Sequence, residues 1–444
     1  MTSAARTITP ATRQTTPAPL VVVGIGADGW PGLSEAARAA VLAADTLVGS
    51  ERQLALLPPT DATHRPWPSP IDELVEELVA SAAAEPASAA ALACAGVAQT
   101  GSSAIGTGAG GVCILASGDP MLHGIGATLA RRLPADRLVV HPHPSAFALA
   151  CARLNWPEAE VELVSAVARA PESLARLLQP GRRVVVYATG AGGAAQIARV
   201  LCARGFGPSR LVVLEQLGGE AERMIDTTAG VWGKRTADPL HLVAIECACE
   251  PDALVLPLVA GLPDDAYEND GQLTKRHVRA ATLAALAPTP GALLWDVGAG
   301  SGSVAIEWLR AEPTAAAIAI ERREDRAERG RANALTLGVP QLEVVLGRAP
   351  EALCELPGPD AVFIGGGLTT PGVIERCWYS LRPEGRIVAN AVTLEGERVL
   401  TNALAYCGGE LVRIEISSVD ALGSFHAWRA QLPVIQWSAR KAAK

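Results

Sequence analysis

Asp296-Val-Gly298-Ala299-Gly300-Ser301-Gly302 follows the apolar run 292–295 and precedes a helix-like stretch that begins at Ser303. Glycines let a backbone turn sharply and approach a ligand with no Cβ in the way. The N-terminus of a following helix offers unpaired amides. Nineteen residues after Gly302, the run Ala319-Ile320-Glu321 ends in a carboxylate. An acid at that place can accept both hydroxyls of a ribose, so an adenosine-containing cofactor is expected. The spacing is Gly-x-Gly-x-Gly, and Asp296 stands two residues before the first glycine. A diphosphate seated on the helix amides would be repelled by that acid. S-adenosylmethionine carries an ammonium and a sulfonium, which an acid favours. A nucleotide oxidoreductase and a glycine turn without a ligand are the alternatives.

Arg322 and Arg323 follow Glu321 directly. They read as a solvated helix start rather than a 2′-phosphate pocket, because Glu321 would oppose a phosphate. His141 and His143 straddle Pro142 and lack further ligands at metal spacing, so they read as turn histidines and no metal site is expected. No activated serine or cysteine is displayed, and no catalytic residue is assigned.

These residues need elements to position them. Leu20-Val-Val-Val-Gly24-Ile-Gly26 reads as a buried parallel strand ending in a glycine turn. Ser34 suits the N-cap of a helix, and residues 46–49 form a short second strand. Strand, helix, strand is the grammar of an α/β domain. Residues 81–111 are mostly Ala, Gly, Ser and Thr and read as a flexible insertion. Strands resume at 112–116, 137–141, 183–187, 210–214 and 241–245, with helices from about Gly124, from Ser145 through Ala152, and over 191–204. Pro, Gly and acids cluster in 251–271, which reads as a linker. A second α/β series follows over 272–444. It opens with a helix over 275–286, and its later strands are near 316–320, 342–346, 360–364 and 386–391.

The 444 residues predict about three domains or sub-domains at ~150 residues each. Hydrophobic residues make up 49%, which excludes a mainly disordered chain. The net charge of −8 makes the chain a poor general binder of nucleic acid or anionic membranes. Nine scattered cysteines without a CxxC pair read as small buried hydrophobes in a reducing cytoplasm. No apolar run reaches the ~18–20 residues needed to span a membrane. Residues 1–19 faintly resemble a transit peptide, and a disordered tail of a cytoplasmic protein is the preferred reading.

Asp-x-Gly-x-Gly-x-Gly with the strand-end Glu321 resembles the class I methyltransferase signature. Many members have an acid after the glycine of Gly347-Arg348-Ala349-Pro350-Glu351. Arg348 stands there instead, which leaves backbone contact from Ala349. Gln272-Leu-Thr274-Lys275-Arg276-His-Val-Arg279, Phe363-Ile-Gly-Gly-Gly367 and Asn390-Ala-Val-Thr-Leu-Glu395 complete a resemblance, over about 258–420, to a cobalamin-biosynthetic methyltransferase that also decarboxylates a precorrin. By motif position, Thr274 would line the methyl-donor site, with Asp296, Gly298, Ala299, Gly300, Ser301, Gly302, Glu321 and Ala349.

Over 20–250 the chain resembles the tetrapyrrole methylase family. The resemblance rests on the Gly24–Gly26 opening, Ala116-Ser117-Gly118-Asp119-Pro-Met-Leu122-His123-Gly124, Pro144-Ser145-Ala146-Phe-Ala-Leu-Ala150 and Glu215-Gln-Leu-Gly-Gly-Glu220. It implies a two-lobed α/β fold, with Ser117, Gly118, Asp119 and Leu122 touching the cofactor from one lobe and Ser145 and Ala146 from the other. The common Gly-x-Gly-Pro-Gly-Asp opening reads Gly24-Ile-Gly26-Ala27-Asp28-Gly29 here.

Joined in one chain, the halves resemble decarboxylating precorrin methyltransferases. This implies S-adenosylmethionine in each domain, methylation at ring carbons 5 and 15, and loss of the acetate carboxyl at ring carbon 12. A polycarboxylate substrate asks for basic neighbours. Lys275, Arg276 and Arg279 are candidates, with an exposed basic helix start as the equal alternative. His123 and Asn390 are further substrate candidates. A homo-oligomer is expected. In the alternative function only the C-terminal domain is catalytic, and the N-terminal half is a tetrapyrrole-binding module.

Overall fold

The computed structural model describes residues 19–83, 111–167 and 169–443. Most of the expected insertion 81–111 and nearly all of the expected tail 1–19 lie outside these residues. Ser81 to Ala83 close a helix, Asp72–Ala83, that buries Leu74, Val75 and Leu78, and Gly111 opens a strand. The chain divides into two compact units.

The first unit carries a five-stranded sheet of β1 (Leu20–Ile25), β2 (Ala44–Gly49), β3 (Thr63–Pro66), β4 (Gly111–Ser117) and β5 (Leu138–His141), in the order β3-β2-β4-β1-β5. All its pairings are parallel. Val22, Val23 and Ile25 are fully buried, as expected of a strand covered on both faces. Ser34 caps the helix Glu35–Leu42 and Ser145 caps the helix Ala146–Leu154, each through its hydroxyl.

A second sheet, largely in the second unit, contains β6 (Val161–Ser165), β7 (Arg183–Tyr187), β8 (Arg210–Glu215), β9 (Arg223–Thr228) and β10 (His241–Glu246), in the order β6-β7-β10-β8-β9.

The second unit also carries a seven-stranded sheet. Its strands are β11 (Leu293–Val297), β12 (Ala316–Glu321), β13 (Glu343–Leu346), β14 (Ala361–Ile364), β15 (Arg386–Ala391), β16 (Glu410–Ile414) and, beyond the hairpin β17 (Ser417–Leu422) and β18 (Phe425–Ala430), β19 (Val434–Arg440). The order is β13-β12-β11-β14-β15-β19-β16. The first five are parallel and β19 is antiparallel to both neighbours. The strand order reverses at β11, between β12 and β14. That switch point is where open α/β sheets bind ligands, at the carboxyl ends of their strands.

The segment 251–271 is not a loose connection. Leu256, Leu262 and Tyr267 are buried in the core that also holds Leu294, Trp308 and Phe363. Its cluster of Pro, Gly and acids shapes turns inside the fold. Among the described residues, no helix is long and apolar enough to cross a membrane, and no group of His, Cys, Asp and Glu could hold a metal. The described cysteines are free thiols.

Candidate active site

The loop 296–302 lies at the switch point of the seven-stranded sheet. Gly298, Gly300 and Gly302 all have positive φ, at 71°, 59° and 78°. At Gly298 a Cβ would come within 2.5 Å of the Gly366 backbone, so the Gly365–Gly367 turn after β14 packs directly on this loop. Asp296 is 1% exposed. Its Oδ2 accepts from the Ala305 amide at 3.0 Å, which serves one orphan donor of the helix Ser303–Ala311. Its Oδ1 is buried without a hydrogen-bond partner, as is the Ser301 hydroxyl. Burial pushes the Asp296 carboxyl up to about 7; the Ala305 amide opposes the shift and the Glu321 charge adds to it.

Glu321 ends β12 and is buried. Its Oε2 accepts from the Gly300 amide and its Oε1 from the Arg323 amide, both at 2.9 Å. Each oxygen keeps a further lone pair, which two ribose hydroxyls can use. Arg323 turns its guanidinium to Asp325, and both Arg322 and Arg323 are exposed, as a solvated helix start requires. Ala349 is half-buried, in the loop whose Gly347 amide donates to the Glu321 carbonyl.

The segment before the helix Arg276–Leu286 crosses this loop. A Cβ on Gly300 would lie 3.7 Å from the Gln272 carbonyl oxygen. Asn333 ties the two together: its Nδ2 donates to the carbonyls of Ser301 and Glu268, and its Oδ1 accepts from the Glu268 amide. Gln272 is thus held beside the glycine loop, and Thr274 lies two residues further on.

Arg279 is a correction. It is 0% exposed and is consumed inside the protein. It bonds Glu307 at 2.5 Å, Asp264 at 3.2 Å and the carbonyls of Thr274 and Leu262, and its guanidinium stacks over Tyr267. Glu307 in turn accepts from the Gly261 and Leu262 amides and the Tyr267 hydroxyl. This network fastens the 261–275 segment and leaves Arg279 no reach to a substrate. A basic residue three places from Arg276 on a helix can face inward, and only the buried Glu307 reveals that it does. Lys275 and Arg276 remain exposed, although Arg276 Nε donates to the Gly261 carbonyl and Lys275 lies 3.9 Å from Asp264. Asn390, at the end of β15, donates to the Thr282 hydroxyl and accepts from Gln436, which leaves it one N–H and one lone pair.

In the first unit, Gly118 has φ 58° and follows β4; its amide donates to the Ile25 carbonyl. A Cβ there would lie 3.5 Å from Ser145 Cα and 3.6 Å from the Ala146 nitrogen. The Ser117–Leu122 and Ser145–Ala146 segments therefore meet, but not from two lobes. Ser145 and Ala146 follow β5, which pairs with β1 in the same sheet, so all six candidate residues lie in the first unit. Asp119 Oδ1 accepts from the Met121 amide at 2.8 Å. The Ser117 hydroxyl lies within hydrogen-bonding reach of Arg52 and Gln53. The Ser145 hydroxyl is taken by its cap on Ala148. His123 is exposed with φ 57°. The sequence missed the pairing of His143 with Asp28 at 3.2 Å.

A family model described as precorrin methyltransferase domain matches residues 265–441, and one described as tetrapyrrole (corrin/porphyrin) methylases matches 19–231. A precorrin-6Y C(5,15)-methyltransferase (decarboxylating) of Sinorhizobium sp is 42% identical over 421 residues, covering 94% of this chain and 95% of that one. The protein of the same name from Mycobacterium tuberculosis is 41% identical over 426 residues, covering 95% of this chain and all of that one. A solved C-terminal domain of precorrin-6Y C5,15-methyltransferase from Rhodobacter capsulatus is 49% identical, spanning 42% of this chain and all of that one, at a TM-score of 0.40. With identity of this level along nearly its whole length, the chain belongs to the decarboxylating precorrin-6Y C5,15-methyltransferase family.

Proposed function

We propose that this enzyme methylates precorrin-6Y at ring carbons 5 and 15 with S-adenosylmethionine and removes the acetate carboxyl at ring carbon 12, giving precorrin-8X. The observation that carries the cofactor assignment is the buried Asp296, whose Oδ1 has no partner beside a glycine loop. A buried carboxylate awaiting a cation fits an ammonium and rejects a diphosphate. Bound there, the cofactor supplies a methyl group already activated by its sulfonium.

The residues of the chain supply alignment. Asp296, Gly298, Ala299, Gly300, Ser301 and Gly302 cradle the cofactor, Glu321 takes its ribose, Ala349 meets the adenine through backbone, and Thr274 closes the near side. Holding a nucleophilic ring carbon against the methyl lowers the barrier by several kcal/mol without a side-chain nucleophile. In decarboxylation the conjugated macrocycle takes the electron pair left by carbon dioxide. Lys275 and Arg276 face the substrate carboxylates. Unchanged substrate affinity after charge reversal at both removes that assignment.

The reading includes a second cofactor site at Ser117, Gly118, Asp119, Leu122, Ser145 and Ala146, with His123 toward substrate. Carbon 5 is assigned to this N-terminal domain, residues 20–250, and carbon 15 with decarboxylation to residues 272–444. Support for the division comes from a relative in Pyrobaculum calidifontis named probable cobalt-precorrin-6B C(15)-methyltransferase (decarboxylating). It matches 39% of this chain and 92% of its own length at 34% identity. The test is to incubate the full chain with precorrin-6Y and 13C-methyl S-adenosylmethionine. Two labelled methyl groups and loss of carbon dioxide are expected. A single methyl group overturns the two-site reading, and none overturns the substrate assignment.

A further inference from the structure

Asp28 and His143 in the first unit have no role in the assignments above. His143 follows β5 and its side chain is 6% exposed; that of Asp28 is 33% exposed. The His143 ring is held at both nitrogens. Nε2 lies 3.2 Å from Asp28 Oδ2, and Nδ1 lies 3.1 Å from the Pro144 carbonyl oxygen. Asp28 precedes the short helix Gly29–Gly32 but gives it no side-chain cap, so its carboxylate is not there for the helix. Its Oδ1 is buried and unpartnered.

Glycines clear the space around this pair. A Cβ at Gly32 would lie 1.9 Å from Asp28 Oδ2. At Gly26 it would lie 2.5 Å from Asp28 Oδ1 and 2.8 Å from His143 Cε1. At Gly24 it would meet His143 Cβ at 2.8 Å and the Gly118 carbonyl at 2.3 Å. At Gly24 the Gly118 backbone leaves no room for a Cβ, and at Gly26 and Gly32 a Cβ would force the Asp28 carboxylate or the His143 ring to move. The opening of this chain also departs from the common pattern at the same point. Ala27-Asp28-Gly29 stands for Pro-Gly-Asp, so the acid sits one place earlier, where it reaches His143.

We propose that Asp28 and His143 are positioning residues for methyl transfer in the N-terminal domain. The pair pins the turn Pro144-Ser145-Ala146 to the Gly24–Gly26 turn. Because Gly118 packs on both turns, the pair sets the spacing between the two segments that hold the methyl donor. His143 is too buried to meet the substrate and acts through Pro144 and Asp28. The inference rests on the second cofactor site. A shift of about 1 Å in an aligned reacting pair lowers a rate about 100-fold.

The experiment uses the full chain with His143→Leu, His143→Gln and Asp28→Asn. Methylation at each ring carbon is followed by NMR of the labelled product, with kcat and the KM for S-adenosylmethionine taken for each step. His143→Leu is expected to lower kcat for carbon 5 by about 100-fold and to leave carbon 15 methylation and decarboxylation intact. His143→Gln, whose amide can donate to Asp28, recovers most of the loss. If His143→Leu does not fold, Asp28→Asn decides, because its amide keeps one acceptor and it shows a smaller loss in the same step. Wild-type kcat and KM for carbon 5 in the folded variants overturn the inference. A wild-type enzyme that adds a single methyl group overturns the second site itself, and the inference with it.

Discussion

The loop after β11 keeps its acids inside. Asp296 and Glu321 are 1% and 5% exposed, and each accepts from backbone amides of the loop or of the adjoining helix. The turn after β1 keeps Asp28 one-third exposed, with His143 Nε2 3.2 Å from its Oδ2. In one region the Asp296 carboxyl is buried and its Oδ1 has no hydrogen-bond partner. The Asp28 carboxylate of the other has a side-chain partner within the same unit. Removing an acid therefore has different consequences in the two regions. Under the proposed function it changes what binds in the second unit and how two turns are held in the first.

The largest effect is expected under the C-terminal site. Arg279→Met leaves Glu307 charged and buried, and breaking such a pair costs about 3–5 kcal/mol. Urea unfolding should show a loss of that order, together with a weaker hold on 261–275. A loss below about 1 kcal/mol, the range of an exposed pair, would mean the network is not buried in solution. Next is Asp296→Asn. If the carboxylate holds the cofactor ammonium, the loss is about 1.5–3 kcal/mol, or roughly tenfold to 150-fold in affinity. Calorimetry of S-adenosylmethionine binding measures it, and the product should retain methylation at carbon 5 only. Stability at neutral pH should not fall, because the desolvated charge is gone.

The pH dependence sharpens the same contrast. The folded Asp296 carboxyl lies at about 7, against 3.8 for the free group. The folded state then binds the extra proton between those values. Its contribution to stability is fully present below the lower value and is lost as pH rises through about 7. A cation bound beside Asp296 favours the carboxylate. Cofactor affinity should climb from pH 6 to 8, with protons released on binding in weakly buffered solution. A flat affinity across that range would separate Asp296 from the ligand. The smallest effect is expected at Asp119→Ala, which removes one hydrogen bond to the Met121 amide, worth about 1 kcal/mol. It should reduce carbon 5 methylation and leave carbon 15 untouched.

Much of the C-terminal glycine loop and its acids could be read from the chain, because the pieces are local. Glycines, a preceding acid and a strand-end carboxylate fall in an order that a βαβ unit turns directly into geometry. The N-terminal candidate segments were harder to place. Ser117 and Ser145 were legible as separate motifs, but their placement in one unit depends on β5 pairing with β1, and sequence distance says nothing about strand order. Residues 251–271 carried the composition of a linker, yet Leu256, Leu262 and Tyr267 belong to the core. Composition reports turns; it does not report what the turns pack against.

Two series of strands and helices, the glycine turns and the acids beside them are encoded locally in the chain. Each depends on neighbours a few residues apart, where backbone stereochemistry and hydrophobic period act. Long-range packing sets the rest: Arg279 faces Glu307, Asn333 binds the 268 segment to the glycine loop, and His143 meets Asp28 across 115 residues. The reason is physical. Whether a charged side chain serves a ligand or the fold depends on which partner shares its burial. That partner is set by the packing of distant elements rather than by the residues on either side.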